Sequence, residues 1–347
     1  RQQRAAVGEE GWDSVVEVSE LTAVSERSDD LQRALSATPT ASRTAGLAFG
    51  LVVSSFPWSP DETADRLKEV VDAASAGGFS SLWVQDHLIQ IPQVGRRWEP
   101  MLEGLATTAW LAGISGDIAI GTLVANTSLR NPAHLAKIIA TIDVLSGGRA
   151  RCGLGAGWWR DEFIAYGLEL PPVRERLDRL EDALRLLPLM WAPGTVDFDG
   201  RTVVVKGAEC YPRPIQEHVP IVVGGQGPQR TLKLAATYAD GVNLRGDPDV
   251  VTKSVDALLA HCHAAGRDPH EIEISHMSWP LVGTDRADAA RYQERFRRGE
   301  AATVDEHAGR IEALAAAGVG TFLFAPADLT DGAEAVERLV PLLKRMR

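Results

Sequence analysis

From Leu47 onward the chain alternates between short apolar runs and longer segments whose apolar residues recur every three or four positions. The first run, Leu47 to Val53, carries no charge, as suits a strand covered on both faces. Ser59-Pro60 then opens a helix, with Ser59 as N-cap and Pro60 at its first position. Leu67, Val70, Val71 and Ala74 give that helix one apolar stripe, and Gly77-Gly78 stops it. The beat repeats: Ser81 to Val84, Ile118 to Val124 and Ala150 to Leu154 read as strands. Met101 to Ile114 and Pro132 to Leu145, the latter capped by Asn131, read as helices.

The second half keeps the pattern. Arg174 to Trp191 is a long helix with Leu177, Leu180, Leu184 and Leu187 on one face. Asp197 to Val205, around Asp199-Gly200, reads as an inserted hairpin. Strands follow at Pro220–Val223, Gly241–Leu244, Ile272–Met277 and Val319–Phe324. Helices follow at Gln229–Tyr238, Asp249–Ala265, Thr303–Ala317 and Asp331–Met346. Residues 284 to 300 are polar and irregular, a loop or a helical excursion. Eight strands alternating with eight helices predict an α/β fold, a (β/α)8 TIM barrel with small insertions, over a doubly wound open sheet. Residues 1 to about 45 lack the beat, apart from a short strand at Val15 to Val18 and a helical turn at Asp29 to Leu35. They are expected to form a poorly ordered extension to a barrel over 46–347.

Composition narrows the partners. The chain has 347 residues, 45% of them apolar and 24% charged, with a net charge of −11. That balance argues against nucleic acid or an anionic membrane as the main partner. Three widely spaced cysteines, Cys152, Cys210 and Cys262, suit a reducing compartment without a disulfide framework. With no signal-peptide pattern and no apolar run near the ~20 residues of a membrane span, a cytoplasmic protein is expected.

The chemistry gathers at predicted strand ends, where a barrel of this kind builds its active site. The stretch Leu145-Ser-Gly-Gly-Arg-Ala-Arg-Cys-Gly-Leu-Gly-Ala-Gly-Trp-Trp159 runs from a helix end through a strand into a glycine loop. It is either a tight turn or the floor of a pocket for a flat ligand, with Trp158 as a substrate-facing wall. Its glycines are spaced GxGxG rather than GxGxxG, which weighs against a dinucleotide loop. Asp86-His87 ends strand two. His87 at that place either handles a proton or anchors its loop. Thr122-Leu123-Val124-Ala125-Asn126 ends strand three, and Asn126 either caps the loop or meets a ligand. Val223-Gly224-Gly225-Gln226-Gly227 ends strand five and opens a helix, an arrangement suited to a phosphate. His261-Cys262-His263 imitates a metal site, but neighbours on a helix point ~100° apart, so no metal is expected there.

The glycine stretch, Leu-Ser-Gly-Gly-Arg-x-x-x-Gly-Leu-Gly-Ala-Gly-Trp, resembles the signature of the luciferase-like monooxygenase superfamily. It is most similar to the branch that uses the deazaflavin coenzyme F420, and the likeness runs from about Leu47 to the C-terminus. The resemblance implies hydride transfer between F420 and a small organic substrate, with His87 catalytic and Asp86 beside it. It implies a cis peptide at Leu123–Val124 behind the coenzyme ring, on a floor completed by Thr122, Asn126, Gly155, Ala156 and Gly157. It places the coenzyme phosphate on Val223, Gly224, Gly225 and Gln226, and it implies a homodimer. Relatives that oxidise sugar phosphates carry a glutamate where Trp158 stands, so this chain departs from them toward an apolar or aromatic substrate. An FMN-dependent monooxygenase and a non-catalytic flavin- or deazaflavin-binding protein share most of these residues and stand as alternatives.

Overall fold

The computed structural model describes residues 46–296, 299–327 and 329–347. The expected strand and helical turn before residue 46 lie outside the described residues. Eight parallel strands form the barrel wall: β1 Ala48–Val53, β2 Ser81–Val84, β3 Ala119–Thr122, β4 Ala150–Gly155, β5 Ile221–Gly224, β6 Gly241–Leu244, β7 Glu273–Ser278 and β8 Thr321–Phe324. Each pairs with the next, and β1 closes the ring on β8, with Ala48 opposite Thr321 and Leu51 opposite Phe324. The (β/α)8 barrel read from the sequence is the fold observed.

The helices are α1 Thr63–Gly77, α2 Gly104–Ala112, α3 Pro132–Ser146, α4 Arg160–Ala165, α5 Val173–Trp191, α6 Thr231–Tyr238, α7 Pro248–Ala265, α8 Arg286–Arg295, α9 Val304–Ala316, α10 Ala333–Glu337 and α11 Val340–Met346. Local chemistry fixes their ends. Asn131 accepts from Ala133 N at 2.8 Å ahead of Pro132, and Gly147 ends α3 at φ +69°. Asp247 caps α7 the same way, while Thr303 and Glu306 cap α9 reciprocally.

Strand side chains alternate between two cores. Val52, Trp83, Val222, Met277 and Leu323 fill the barrel interior. Phe49, Phe322 and Phe324 point outward into the layer beneath the helices, where Phe49 and Phe322 stack at 6.1 Å. The hairpin is present as Val196–Asp199 against Val204–Ala208, and buried Asp182 accepts from Thr202 N at 2.6 Å to hold its turn. Residues 284–300 carry α8, which joins Pro280–Gly283 to a parallel partner, Glu300–Thr303.

Several boundaries differ from expectation. The first helix is regular only from Thr63, because Ser59 O accepts from both Glu62 N and Thr63 N and residues 60–62 form a turn. The second spans Gly104–Ala112, capped by Glu103. Strand three stops at Thr122, and Ala125–Asn126 resumes alongside Leu154–Gly155. The closing helix is split into α10 and α11. The short helix α4, directly after the glycine loop, was not anticipated.

Candidate functional site

The C-terminal ends of the strands surround a cavity of about 540 Å³. From β2, β3 and β4 it receives Asp86, His87, Leu123, Val124, Asn126, Gly155, Gly157 and Trp158. From β5 it receives Gly224, Gly225 and Gln226. Three expected residues, Thr122, Ala156 and Val223, do not line it. Thr122 and Val223 are wholly buried in the wall, and the Ala156 carbonyl accepts from Ser128 Oγ at 2.9 Å.

His87 leaves β2 and meets α4. Its Nδ1 lies 3.1 Å from Glu162 Oε1, and Leu88 N donates to the same oxygen at 2.6 Å. The Glu162 side chain is 1% exposed, so its carboxylate is held on these partners. A carboxylate accepts and does not donate, which assigns the Nδ1 proton to His87. His87 Nε2, with no protein partner among the described residues, is left to exchange a proton with a ligand. Trp158 and Trp159 stack at 6.0 Å, and the His87 ring meets both edge-on. Trp158 is 49% exposed, an aromatic lip over the histidine.

Asp86 works inside the wall. Arg130 grips it at 2.5 and 2.8 Å, and Asn126 N donates to Oδ2 at 2.8 Å. Arg130 also pairs with Glu103, the N-cap residue of α2. Burial opposes the charge on Arg130, yet the hydrogen bonds and charges of Asp86 and Glu103 hold its guanidinium above the ordinary value. Asn126 serves its own loop as well, since Oδ1 accepts from Ser128 N at 2.9 Å.

The Leu123–Val124 peptide is cis, as the resemblance implied. Val124 explains the glycines of β4 and β5. A Cβ on Gly155 would lie 2.5 Å from Val124 Cγ2, and one on Gly224 would lie 2.8 Å from Cγ1. A Cβ on Gly153 would strike Thr122 O, and one on Gly157 would reach Asn126 Oδ1. These glycines make room for the tip of strand three rather than directly for a ligand.

The opposite end of the cavity suits an anion. Gly225 holds φ +130°, a conformation open to glycine. Among the described residues the amides of Gln226 and Gly227 donate to no protein acceptor. Gln226 Oε1 accepts from Arg245 N at 3.0 Å, setting the start of the β6 loop. The Arg245 guanidinium lines the cavity and forms no ion pair among the described residues. Free amides at the start of the β5 loop, with a cationic side chain in the same lining, suit a phosphate. Between the two ends, Gln85 Oε1 is buried in the lining with no partner among the described residues, an acceptor suited to an N–H on a flat ring.

Gln85, Glu162, Arg245, Met277 and Trp279 were not singled out for roles. Arg245 carried a usable signal, a cation directly after the predicted sixth strand. Glu162 carried none, because its value depends on a helix too short to show a period.

A sequence model of the family described as luciferase-like monooxygenase matches residues 38–338. The F420-dependent glucose-6-phosphate dehydrogenase of Microbacterium testaceum is 33% identical over 241 residues, which cover 66% of this chain and 67% of that protein. The F420-dependent hydroxymycolic acid dehydrogenase of Mycobacterium tuberculosis is 32% identical over 234 residues, covering 67% of this chain and 63% of that one. The chain spans 55% to 67% of the lengths of the first curated relatives it matches. Among solved structures, an F420-dependent secondary alcohol dehydrogenase in complex with an F420–acetone adduct superposes with a TM-score of 0.73. That match covers 87% of this chain and 99% of the other at 20% identity, a likeness of fold.

Proposed function

Because the chain belongs to the luciferase-like monooxygenase family, we propose that it is an oxidoreductase using coenzyme F420 and a small organic substrate. The observation that carries this is one cavity with an anion cradle at the β5 and β6 ends and a His87–Glu162 pair at the β2 and β4 ends. The names of the relatives support the choice of coenzyme. When bound, the deazaflavin supplies a carbon that exchanges a hydride with the substrate.

The residues of the chain do the rest. The Gln226 and Gly227 amides and Arg245 would hold the phosphate, and Val124 would back the ring. Gln85 Oε1 would accept from an N–H of the ring. If an alcohol is oxidised, its carbinol hydrogen would leave as hydride to the bound deazaflavin and its O–H proton would pass to His87 Nε2, leaving a C=O group. Reduction of a carbonyl runs the same transfers in reverse. Glu162 keeps the Nδ1 proton in place, so Nε2 starts as the acceptor. Trp158 and Trp159 present an aromatic face, which favours an apolar or aromatic substrate over a sugar phosphate. The reading extends to a reducing compartment, suited to three free, buried cysteines, and to a homodimer that sedimentation velocity checks. Among the described residues no helix is long and apolar enough to cross a membrane.

A fluorescence titration of the purified protein with F420 and, separately, FMN tests the proposal. Micromolar or tighter F420 binding with weak FMN binding is expected. Preference for FMN transfers the chain to the oxygen-using branch, and binding of neither sinks the cofactor assignment.

A further inference from the structure

A second cavity, of about 320 Å³, lies outside the barrel wall in the layer between sheet and helices. Its sides are outward-facing His276 of β7, Phe322 and Phe324 of β8, Ile311 and Leu314 of α9, and Leu342 of α11. It adjoins the first cavity, because Arg245, Gly246, Met277 and Trp279 border both. Arg245 lies over the Trp279 ring, 5.7 Å from its centroid, so the partition includes one non-covalent cation–π pair.

This mostly apolar chamber, which Asp247, Glu300 and His307 also border, has unsatisfied polar atoms at its border. His276 is 4% exposed and donates from Nε2 to Gly246 O at 2.9 Å, while its buried Nδ1 has no partner among the described residues. Burial keeps this imidazole below the usual histidine range, so Nδ1 is an acceptor. Arg310 pairs with Glu300 through Nη2 at 2.6 Å, but among the described residues its buried Nη1 has no partner, and neither does Trp279 Nε1. Buried polar groups in folded proteins are almost always paired. An acceptor and two donors around one apolar chamber match a group that both donates and accepts, which a hydroxyl does.

We propose that the second chamber receives the remote end of the substrate, an apolar segment ending in a hydroxyl, while the reacting carbon lies beside His87. This rests on the hydride-transfer reading of the first cavity and adds to it a substrate class. No bond changes in the second chamber.

Titration calorimetry on the full chain, with and without F420, tests it with 1,8-octanediol and 1-octanol as probes. The diol binds at least tenfold tighter than the alcohol. Ile311→Phe and Leu314→Phe, which fill the chamber, weaken the diol at least tenfold and leave F420 affinity within twofold. Arg310→Met, at a half-exposed side chain that threatens the fold least, erases the preference for the diol. Equal affinity for the two probes overturns the proposal, as does diol binding that the filled variants leave unchanged. Filled variants that fold but lose F420 and keep the diol also overturn it, by giving the chamber to the coenzyme. If the protein binds no F420 yet the diol still depends on the chamber, the coenzyme reading fails and the chamber stands.

Discussion

In the proposed reaction His87 and Glu162 divide one task between two strand-end loops: the histidine would exchange the proton, and the carboxylate on Nδ1 leaves Nε2 as the nitrogen for it. His87→Ala is expected to lower turnover by about a hundredfold or more while coenzyme affinity is undiminished. Unchanged turnover in that variant would falsify the assignment of proton handling. Glu162→Gln keeps the shape and removes the charge. It is expected to lower kcat by about tenfold with little change in KM or coenzyme Kd, whereas general damage would move all three. At the far end of the cavity, Arg245→Met should weaken F420 by about tenfold to a hundredfold, the worth of a charge-assisted hydrogen bond. Affinity for a deazaflavin fragment lacking the phosphate should stay the same, and an equal loss for both ligands contradicts the phosphate role. Most lining residues were legible because they sit at the ends of apolar runs. Glu162 was not, since it reaches His87 across 75 positions by way of the tertiary fold.

At the scale of elements, the tip of strand three governs its neighbours. Val124 occupies the space that side chains on Gly155 and Gly224 would need. Gly155→Ala should therefore destabilise the fold by about 1–3 kcal/mol, the usual cost of overpacking. Denaturant unfolding checks this, and adding Val124→Ala should recover part of the loss. Full additivity of the two substitutions contradicts the contact. The sequence announced a run of glycines but not what they accommodate, because a close approach leaves a gap in one strand and its cause in another. Strand and helix order was readable from periodicity. The first helix, the closing helix and strand three were misjudged at their ends, where a turn, a break and the cis peptide replace regular structure. The short helix α4 fell below the length at which an apolar stripe identifies a helix.

At the scale of the molecule, two buried histidines flank the outer layer. His276 and His307 both titrate below the ordinary value of 6.5, chiefly because burial disfavours their charged forms. In the unfolded chain they take up protons first as the pH falls. Their contribution to stability is thus intact above pH 6.5 and declines as the pH drops from there toward the lowered folded values. Thermal unfolding at pH 7.5 and 5.5 should show the lower Tm at 5.5, and His307→Gln should reduce the difference. A Tm that rises on acidification contradicts this account. The ring closure carries a further consequence, for the order of synthesis. One side of β1 is satisfied by β2 within some thirty positions, but the other waits for Thr321 to Phe324. While the chain is still emerging from the ribosome, the first strand therefore presents an unpaired apolar edge until the last strand arrives. A nascent chain halted before that point is an open sheet, exposed to pairing with its neighbours on the same message.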